Sequence, residues 1–570
     1  MIFKNKSSKK SIEQAKQIVN DQLIVHPLWE AVSTKHEIDW NQDPFNNRTW
    51  CYYLHSLSPV NYLMNAYEYE KQTIYIDKAK EIINSWEENN SINSQFVSEY
   101  AWKDHSTANR VVAIIYFWSN YIHTNLYEKK FEKRLMSLLE RHGEFLYDND
   151  NYNFRNNHGV YQDRALIELA TIFPELHNSK LWYERAIDRL MNYVEKFVSN
   201  EGVHKEHSAA YHILMLRLLG EIDEFLSYYN RGVPELHKII HKMEEYLAYV
   251  VKPNGIIPMT GDSGPDSIFS IKGFNFNNPK LLYVRSNGSK GEKTENEIVY
   301  REDGVAIFRN EWGKNIPLYI NFTAAFHSLA HKHADDLSVL LTIGKTDFFV
   351  DSGKYNYQEK DEFRKYFRST LAHNVVTMNR KSYELKPSQA GKSRITKYGI
   401  KNEYSFVVGT HELYPGVKMK RTLIHLKNFS SVLVHDELES PKMHTYSQIF
   451  NIGKDVEVTP VTKKKILLKS TIENNQIELL QVNHVTEFKN YKGETDPIAG
   501  WQSTAFNEKH AITQLQFSNK GDNIEYKSII NLDTSSNNGV KNYTLKRAQN
   551  DEYTIICKDN SRFSFKLKDN

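Results

Sequence analysis

From about residue 10 to residue 252, apolar residues recur at three- and four-residue spacing, most clearly in Tyr62 to Tyr69, Val111 to Ile122, Phe131 to Phe145 and Leu181 to Phe197. Side chains at that spacing return to one face of an α-helix, so each stretch predicts a helix that turns one face to a core. Polar breaks separate them at Glu87-Glu88-Asn89-Asn90, Asp148-Asn149-Asp150-Asn151 and Ser199-Asn200-Glu201-Gly202, which carry residues that end helices or make turns. Many helices joined by short loops, with no fixed-length repeat, predict an incomplete (α/α) toroid in preference to a solenoid.

The pattern changes after a polar connector near residues 286 to 298. Beyond it, short runs of strand length or alternation follow one another: Ile316 to Phe322, Leu337 to Ile343, Asp347 to Val350, Asn374 to Met378, Tyr404 to Gly409, Leu423 to Leu426, Ser430 to His435 and Ile466 to Ser470. Such a succession, with turn residues between the runs, predicts an antiparallel β-sandwich. The expected fold is therefore multidomain α+β, with a helical toroid over 1–290 and an antiparallel β-sandwich over 291–570.

Composition narrows the function classes. The 73 basic and 70 acidic residues nearly balance, which argues against a surface built to hold nucleic acid or an anionic membrane; an anionic ligand has to be met by a local basic site. Aromatic residues make up 13% of the chain, and their flat faces suit sugar rings as well as cores. Cys51 and Cys557 are the only cysteines, so there is neither a disulfide framework nor a thiolate metal site. No apolar run follows the basic N-terminal residues, and none elsewhere has the length of a membrane span. As written the chain is expected to be cytoplasmic, or secreted or periplasmic if the sequence is a trimmed form.

Candidate chemistry gathers in a few segments. In His331-Lys332-His333-Ala334-Asp335-Asp336 the two imidazoles sit at i and i+2, which places them on one side of an extended chain; a solvated strand end is an equally good reading of the motif alone. Downstream, Asp351 ends the run Phe348-Phe349-Val350 and His373 precedes Asn374-Val375-Val376. With His333 they supply the nitrogen and oxygen donors that suit a zinc-like ion, although their spacing matches no local metal signature. In the helical half, Asn156-Asn157-His158-Gly159 precedes a helix-like run. It can present donors to an anion, or simply cap the helix. Glu206, Ser208, Tyr211 and His212 likewise lie before or at the start of an apolar helix, where Ser208 can be the cap and Tyr211 a packed phenol.

Taken in order, Trp50-Cys51-Tyr52-Tyr53-Leu54-His55, Trp102-Lys103-Asp104-His105, Asn157-His158, Ser208-Ala209-Ala210-Tyr211-His212, His331-x-His333-Ala334-Asp335, Asp351-Ser352-Gly353-Lys354-Tyr355-Asn356-Tyr357 and Ala372-His373-Asn374 resemble the heparinase II/III-like polysaccharide lyases. The resemblance covers most of the chain. It implies a helical toroid followed by an antiparallel β-sandwich, and cleavage of a uronate-containing anionic glycan by β-elimination to leave 4,5-unsaturated uronate ends. Asn157 and His158 match residues that neutralise the substrate carboxylate, Tyr211 matches the catalytic tyrosine, and His331 matches the histidine working opposite it. His333, Asp351 and His373 fall where members hold one divalent metal, usually zinc, in a structural role. Trp102, His105, Arg110, Glu206, Tyr355 and Tyr357 are expected to bind substrate.

The residue types fit that chemistry. Removing the C5 proton beside a carboxylate requires the carboxylate charge to be neutralised, which donors such as Asn157 and His158 accomplish by the logic of an oxyanion hole. Tyr211 and His331 are then the candidates for base and acid, and which of them is the base depends on the configuration at C5 and on a syn or anti course. Tyr161 and Gln162 stand where some members that accept both uronate epimers carry an acidic residue, which argues against dual epimer specificity. Two rival readings remain at this stage. One is a glycoside hydrolase on a similar toroid, using Glu206 and Asp104 as its carboxyl pair; the other is a non-catalytic carbohydrate-binding protein. The expected partner is an anionic polysaccharide or oligosaccharide, with neither nucleic acid nor membrane.

Overall fold

The computed structural model describes residues 9–35, 37–92, 97–271, 275–310, 317–533, 539–546 and 551–569. Among the described residues the chain is mainly helical as far as Val250, with one short strand pair, Gln22–Leu23 and Val32–Ser33, and predominantly β from Glu297 onward, and the strand pairings are antiparallel. The predicted helices form as Ser58–Glu70, Asp104–Tyr121, Lys129–Tyr147, Asn157–Ile172 and Ser179–Phe197. Among the described residues no helix is long and apolar enough to cross a membrane. Two compact units emerge, one of Met1–Lys196 with Arg217–His237 and the other of Phe197–Leu216 with Lys238–Asn570. This division does not coincide with the helix-to-strand change near residue 290; Tyr211 lies in the unit that holds the sheet.

In the first unit, Asp104–Tyr121 packs against Asn157–Ile172, Ser58–Glu70 and Lys129–Tyr147. A helix covered on several sides should be apolar nearly all round. Asp104–Tyr121 is buried at Ser106, Thr107, Ala108, Arg110, Val111 and from Ala113 through Phe117, and Asn157–Ile172 at Gly159, Val160, Gln162, Asp163 and from Ala165 through Thr171. These two central helices bring the polar residues of their first turns together.

In the second unit, a 15-stranded antiparallel sheet folds into two layers. The strands Ser431–Ile452 and Thr513–Asn531 run through both layers and pair with each other along nearly their whole length, with a register break between Glu439 and His444. Pro441 sits at that break, where the missing N–H costs no ladder bond. One layer holds Tyr404–His411 and Lys418–Leu426, the other Val305–Arg309, Leu318–Thr323 and Ser338–Ile343. Val407, Leu423, Val432 and Val434 meet Phe308, Ile320, Phe322 and Leu341 in the core between the layers.

The alternate residues Phe406, Val408, Ile424 and Leu433 face the other way, where Tyr543, Tyr553, Ile555 and Phe565 cover them. Those covering residues belong to a three-stranded sheet of Val540–Lys546, Glu552–Cys557 and Arg562–Lys566. This third layer makes both faces of the middle layer apolar, which is why its strands read as nearly continuous hydrophobic runs. The predicted strand ends differ by a few residues from those observed, such as Ser338–Ile343 for Leu337 to Ile343; Ile316 lies outside the described residues.

Candidate active site

Two polar clusters form, one in each unit. In the first, Asn156 adopts extended backbone and its side-chain oxygen accepts the His158 N–H at 2.9 Å, capping the helix that starts at Asn157. Capping therefore falls to Asn156, which leaves Asn157 and His158 half-buried in the first helical turn. His158 Nδ1 lies 3.1 Å from Asp104 Oδ2, which also accepts Asn153 Nδ2 at 2.9 Å, while Asp104 Oδ1 accepts the His105 N–H at 2.7 Å. An ionised carboxylate only accepts, so His158 Nδ1 carries the proton and Nε2 is left for a ligand. Burial opposes ionisation of Asp104, yet its bonds to His158 and Asn153 bring the carboxyl down to about 2. With both oxygens engaged in orienting its neighbours, Asp104 is poorly disposed to act as a hydrolase acid.

The His105 ring stacks on His158 at 4.7 Å and meets the Tyr161 edge at 4.8 Å. Gln162 is buried and ties down the preceding loop, accepting the Asn153 N–H and donating to Asn151 O. Trp102 and Arg110 depart from expectation. Trp102 donates from Nε1 to Asn90 O and packs among Trp86, His142 and Phe145. Arg110 is fully buried, with its guanidinium over the Trp86 ring at 3.7 Å and bonded to His142 Nε2 and His55 O. Arg110 is thus a core group instead of a cleft residue, and Trp102 is a half-buried ring packed onto that core.

The second cluster gathers residues far apart in sequence. Ser208 caps the helix Ala209–Tyr228, accepting the Tyr211 N–H at 3.3 Å, so Tyr211 sits in its first turn. The Tyr211 ring lies face to face with His331, centroids 3.4 Å apart and 21° between planes. His331 occupies left-handed backbone at φ 53° in the loop before the strand Ser338–Ile343, a conformation that costs a non-glycine residue on the order of 1 kcal/mol and persists only when its surroundings hold it.

The group that holds it is Asp262. Its Oδ2 lies 3.0 Å from His331 Nδ1, its Oδ1 lies 3.0 Å from His333 Nε2, and Arg364 grips both oxygens at 2.6 and 3.1 Å. Against the burial that opposes it, this donor set holds the Asp262 carboxyl far below the usual range. Asp262 is accordingly a pure acceptor, which puts the protons on His331 Nδ1 and His333 Nε2 and leaves His331 Nε2 as the reactive nitrogen. Glu206, buried as well, places a carboxyl oxygen 3.5 Å from that nitrogen; burial raises this carboxyl, an effect the His331 charge partly offsets. Burial also raises the Tyr211 phenol, with the Tyr357 hydroxyl 3.5 Å away acting against it. Tyr357 is exposed beside Tyr211, whereas Tyr355 packs on Phe363 and Phe367.

His333, Asp351 and His373 come together in the same unit, fully buried, with one donor atom of each within 4.8 Å of the others. This cluster can hold a metal ion. His333 Nδ1 and His373 Nε2 are buried without a hydrogen-bond partner among the described residues, and the nitrogen opposite each is engaged by a carboxylate, Asp262 for His333 and Asp351 for His373. Two buried imidazole lone pairs beside a carboxylate suit a cation and would otherwise carry a desolvation cost. Lys332, between the two histidines, is buried against Asp335 at 2.5 Å and Asp336 at 3.0 Å, and Asp336 also accepts the Tyr383 hydroxyl. The motif is thus a loop segment, not the extended strand end its spacing suggests, with three destinations: His331 to Tyr211, His333 to the donor cluster, and Lys332 to two aspartates that neutralise it.

Sequence reasoning missed Asp262 and Arg364. Asp262 lies in the loop Thr260-Gly261-Asp262-Ser263-Gly264, and its signal is Gly261. At φ 55°, a Cβ there would come within 2.6 Å of the backbone oxygens of both His207 and His331. An acidic residue after a glycine in a crowded loop is a cue to a close approach of chains.

Among solved structures, a heparinase III gene product superposes with a TM-score of 0.82 at 18% identity, covering 100% of this chain and 92% of that one. The heparan sulfate lyase of Pedobacter heparinus does so at 0.79 and 17%, covering 99% and 90%. At these identities the likeness shows a shared fold. Curated relatives include a heparin-sulfate lyase of Bacteroides stercoris, 22% identical over 65% of this chain and 56% of that protein, and one of Pedobacter heparinus, 20% identical over 73% and 64%. The chain thus matches less than two thirds of the length of these relatives. The sequence profile of the heparinase II/III N-terminus matches residues 2–286, and that of the heparinase II/III-like C-terminal region matches 294–550. The first alone spans half the chain and the two together nearly all of it, so the chain belongs to the heparinase II/III family.

Proposed function

We propose that the protein is a polysaccharide lyase that cleaves a uronate-containing, glycosaminoglycan-like polymer by β-elimination. The observation that carries this reading is the stacked Tyr211–His331 pair, with His331 locked by Asp262 so that Nε2 is its reactive atom. In this reading the 1–290 segment supplies Asn157, His158 and Tyr211, and the 291–570 segment supplies His331 and the metal site.

The family resemblance assigns Asn157 and His158 to the uronate carboxylate, whose charge has to be neutralised for the C5 proton to leave. His331 Nε2 takes that proton. Tyr211, whose ionisation burial opposes, stays protonated and gives its proton to the departing O4. The C5–H bond and the C4–O4 bond break, and the C4–C5 double bond forms. His333, Asp351 and His373 would hold a divalent ion, zinc by their donor set, whose fixed charge would anchor His333 and with it the loop carrying His331.

The test is an ultraviolet assay of purified protein against a panel of uronate polysaccharides, beginning with heparan sulfate, the polymer that gives the structurally similar Pedobacter heparinus lyase its name. New absorbance from the conjugated double bond supports the reading, whereas new reducing ends without it would indicate hydrolysis. The division of labour is tested with a uronide bearing a good leaving group at C4, which needs no acid. Tyr211→Phe should retain far more of its activity on that compound than on polymer if Tyr211 is the acid, and should be equally impaired on both if it is the base.

A further inference from the structure

The hairpin Trp501–Ala505 and Glu508–Ala511 presents Phe506 at its tip, 55% exposed. An exposed phenylalanine on a loose tip would be unremarkable, but this tip is bolted down. Ser503 N–H donates to Ser352 O at 2.8 Å and Asn507 N–H to Tyr355 O at 2.9 Å, while Gln502 Nε2 donates to Asp351 O at 2.9 Å. Gly353 lies so close that a Cβ would come within 2.2 Å of Ser503 O. Lys509, on the returning strand, sets its ammonium 4.1 Å from the Phe363 centroid and 5.2 Å from that of Tyr355, a geometry of mutual attraction. The hairpin is therefore fixed to the segment carrying Tyr357, and the Phe506 ring is held 6.1 Å from the Tyr357 ring at 39°.

Tyr357 is itself 45% exposed, and its hydroxyl lies 3.5 Å from that of Tyr211. Lys354 holds its ammonium 5.7 Å from the Tyr357 centroid and makes no ion pair among the described residues. Two fixed aromatic rings with a cation at their margin, continuous with the Tyr211 hydroxyl, match a sugar ring that has an apolar C–H face and an anionic substituent. We infer that Phe506, Tyr357 and Lys354 form a subsite for the anionic sugar residue adjoining the one at Tyr211, with stacking from the rings and a carboxylate or sulfate taken by Lys354. This inference rests on the lyase reading for which sugar stands at Tyr211, but it predicts binding in its own right.

The test measures KM and kcat by ultraviolet assay, and Kd by calorimetry, for heparan sulfate with wild type, Phe506→Ala, Phe506→Trp and Lys354→Ala. Loss of one stacking face should raise KM and Kd by about 3- to 10-fold for Phe506→Ala, leave kcat within about twofold, and be reversed by Phe506→Trp. Lys354→Ala should reduce the salt dependence of Kd. Unchanged KM and Kd in a Phe506→Ala protein with an unchanged thermal midpoint would overturn the subsite, as would a fall in kcat alone or a wild type that binds no uronate glycan. Glycan binding that depends on Phe506 but yields no unsaturated product would sink the lyase reading and leave the subsite standing.

Discussion

Replacing Asp262 with asparagine removes the one group that serves His331, His333 and Arg364 at once. An amide offers one acceptor oxygen where the carboxylate offers two, and it leaves the buried Arg364 guanidinium with only the exposed Glu359 carboxylate, 3.8 Å away, as counter-charge. Breaking a buried ion pair in this way costs about 3–5 kcal/mol, and losing the carboxylate behind a metal-binding histidine costs about 10- to 100-fold in metal affinity. Asp262→Asn is therefore expected to unfold at lower denaturant and, after loading with zinc and dialysis, to retain less of it than wild type by elemental analysis. Retention of both would show that Asp262 is a bystander. The histidines were legible in the sequence because imidazole pairs stand out as chemistry; Asp262 and Arg364 were not, because their partners are brought to them by tertiary folding alone. Arg110 misled for the opposite reason. It looks like a cleft cation, but it lies on a helix buried on most sides, where its charge is met by Trp86 and neutral acceptors.

At the scale of elements, both periodicities in the sequence were informative, and they failed in different places. The three- and four-residue spacing located the helices because each buries at least a stripe, and the two central ones bury almost everything. In the sheet, alternation was blurred where the third layer covers the outer face, as at Phe406, Val407 and Val408, which point to two different cores. Of the two long strands, Ser431–Ile452 was seen only as Ser430 to His435, since the exposed stretch around Pro441 interrupts its apolar pattern without ending it, and Thr513–Asn531 was not predicted. The third layer makes a prediction. Phe406 is fully buried beneath it, so Phe406→Ala should destabilise the protein by about 3–5 kcal/mol. Urea unfolding measures the loss, and a loss below about 1 kcal/mol would mean the layer is not packed as described.

Across the whole molecule, several histidines are buried in the neutral form. Burial brings His55 and His204 down to about 3, and His212 and His411 to about 4. The bonding agrees: His55 shares Nε2 with Trp40 O while Nδ1 accepts from Trp86, and His212 shares Nε2 with Met243 O while Nδ1 accepts the His204 N–H. Their folded pKa values lie below the unfolded value of about 6.5, so below that pH the unfolded chain binds protons that the folded chain refuses. Stability is complete above about pH 6.5 and falls toward pH 4, by about 2 kcal/mol for each such histidine at pH 5. Denaturant midpoints at pH 5 and 7.5 check this, and equal midpoints would contradict it. The central claim concerns the pair that the fold sets ring to ring, Tyr211 and His331, and it is tested most directly by following ultraviolet absorbance as the purified protein and its Tyr211→Phe variant act on heparan sulfate and related uronate polymers. The account predicts rising absorbance from unsaturated uronate ends with the wild type on at least one polymer, and a rate lower by two orders of magnitude or more, roughly the loss expected when a general acid is removed, for the variant. Glycan cleavage by the wild type without that absorbance, or an unimpaired Tyr211→Phe variant, would contradict it.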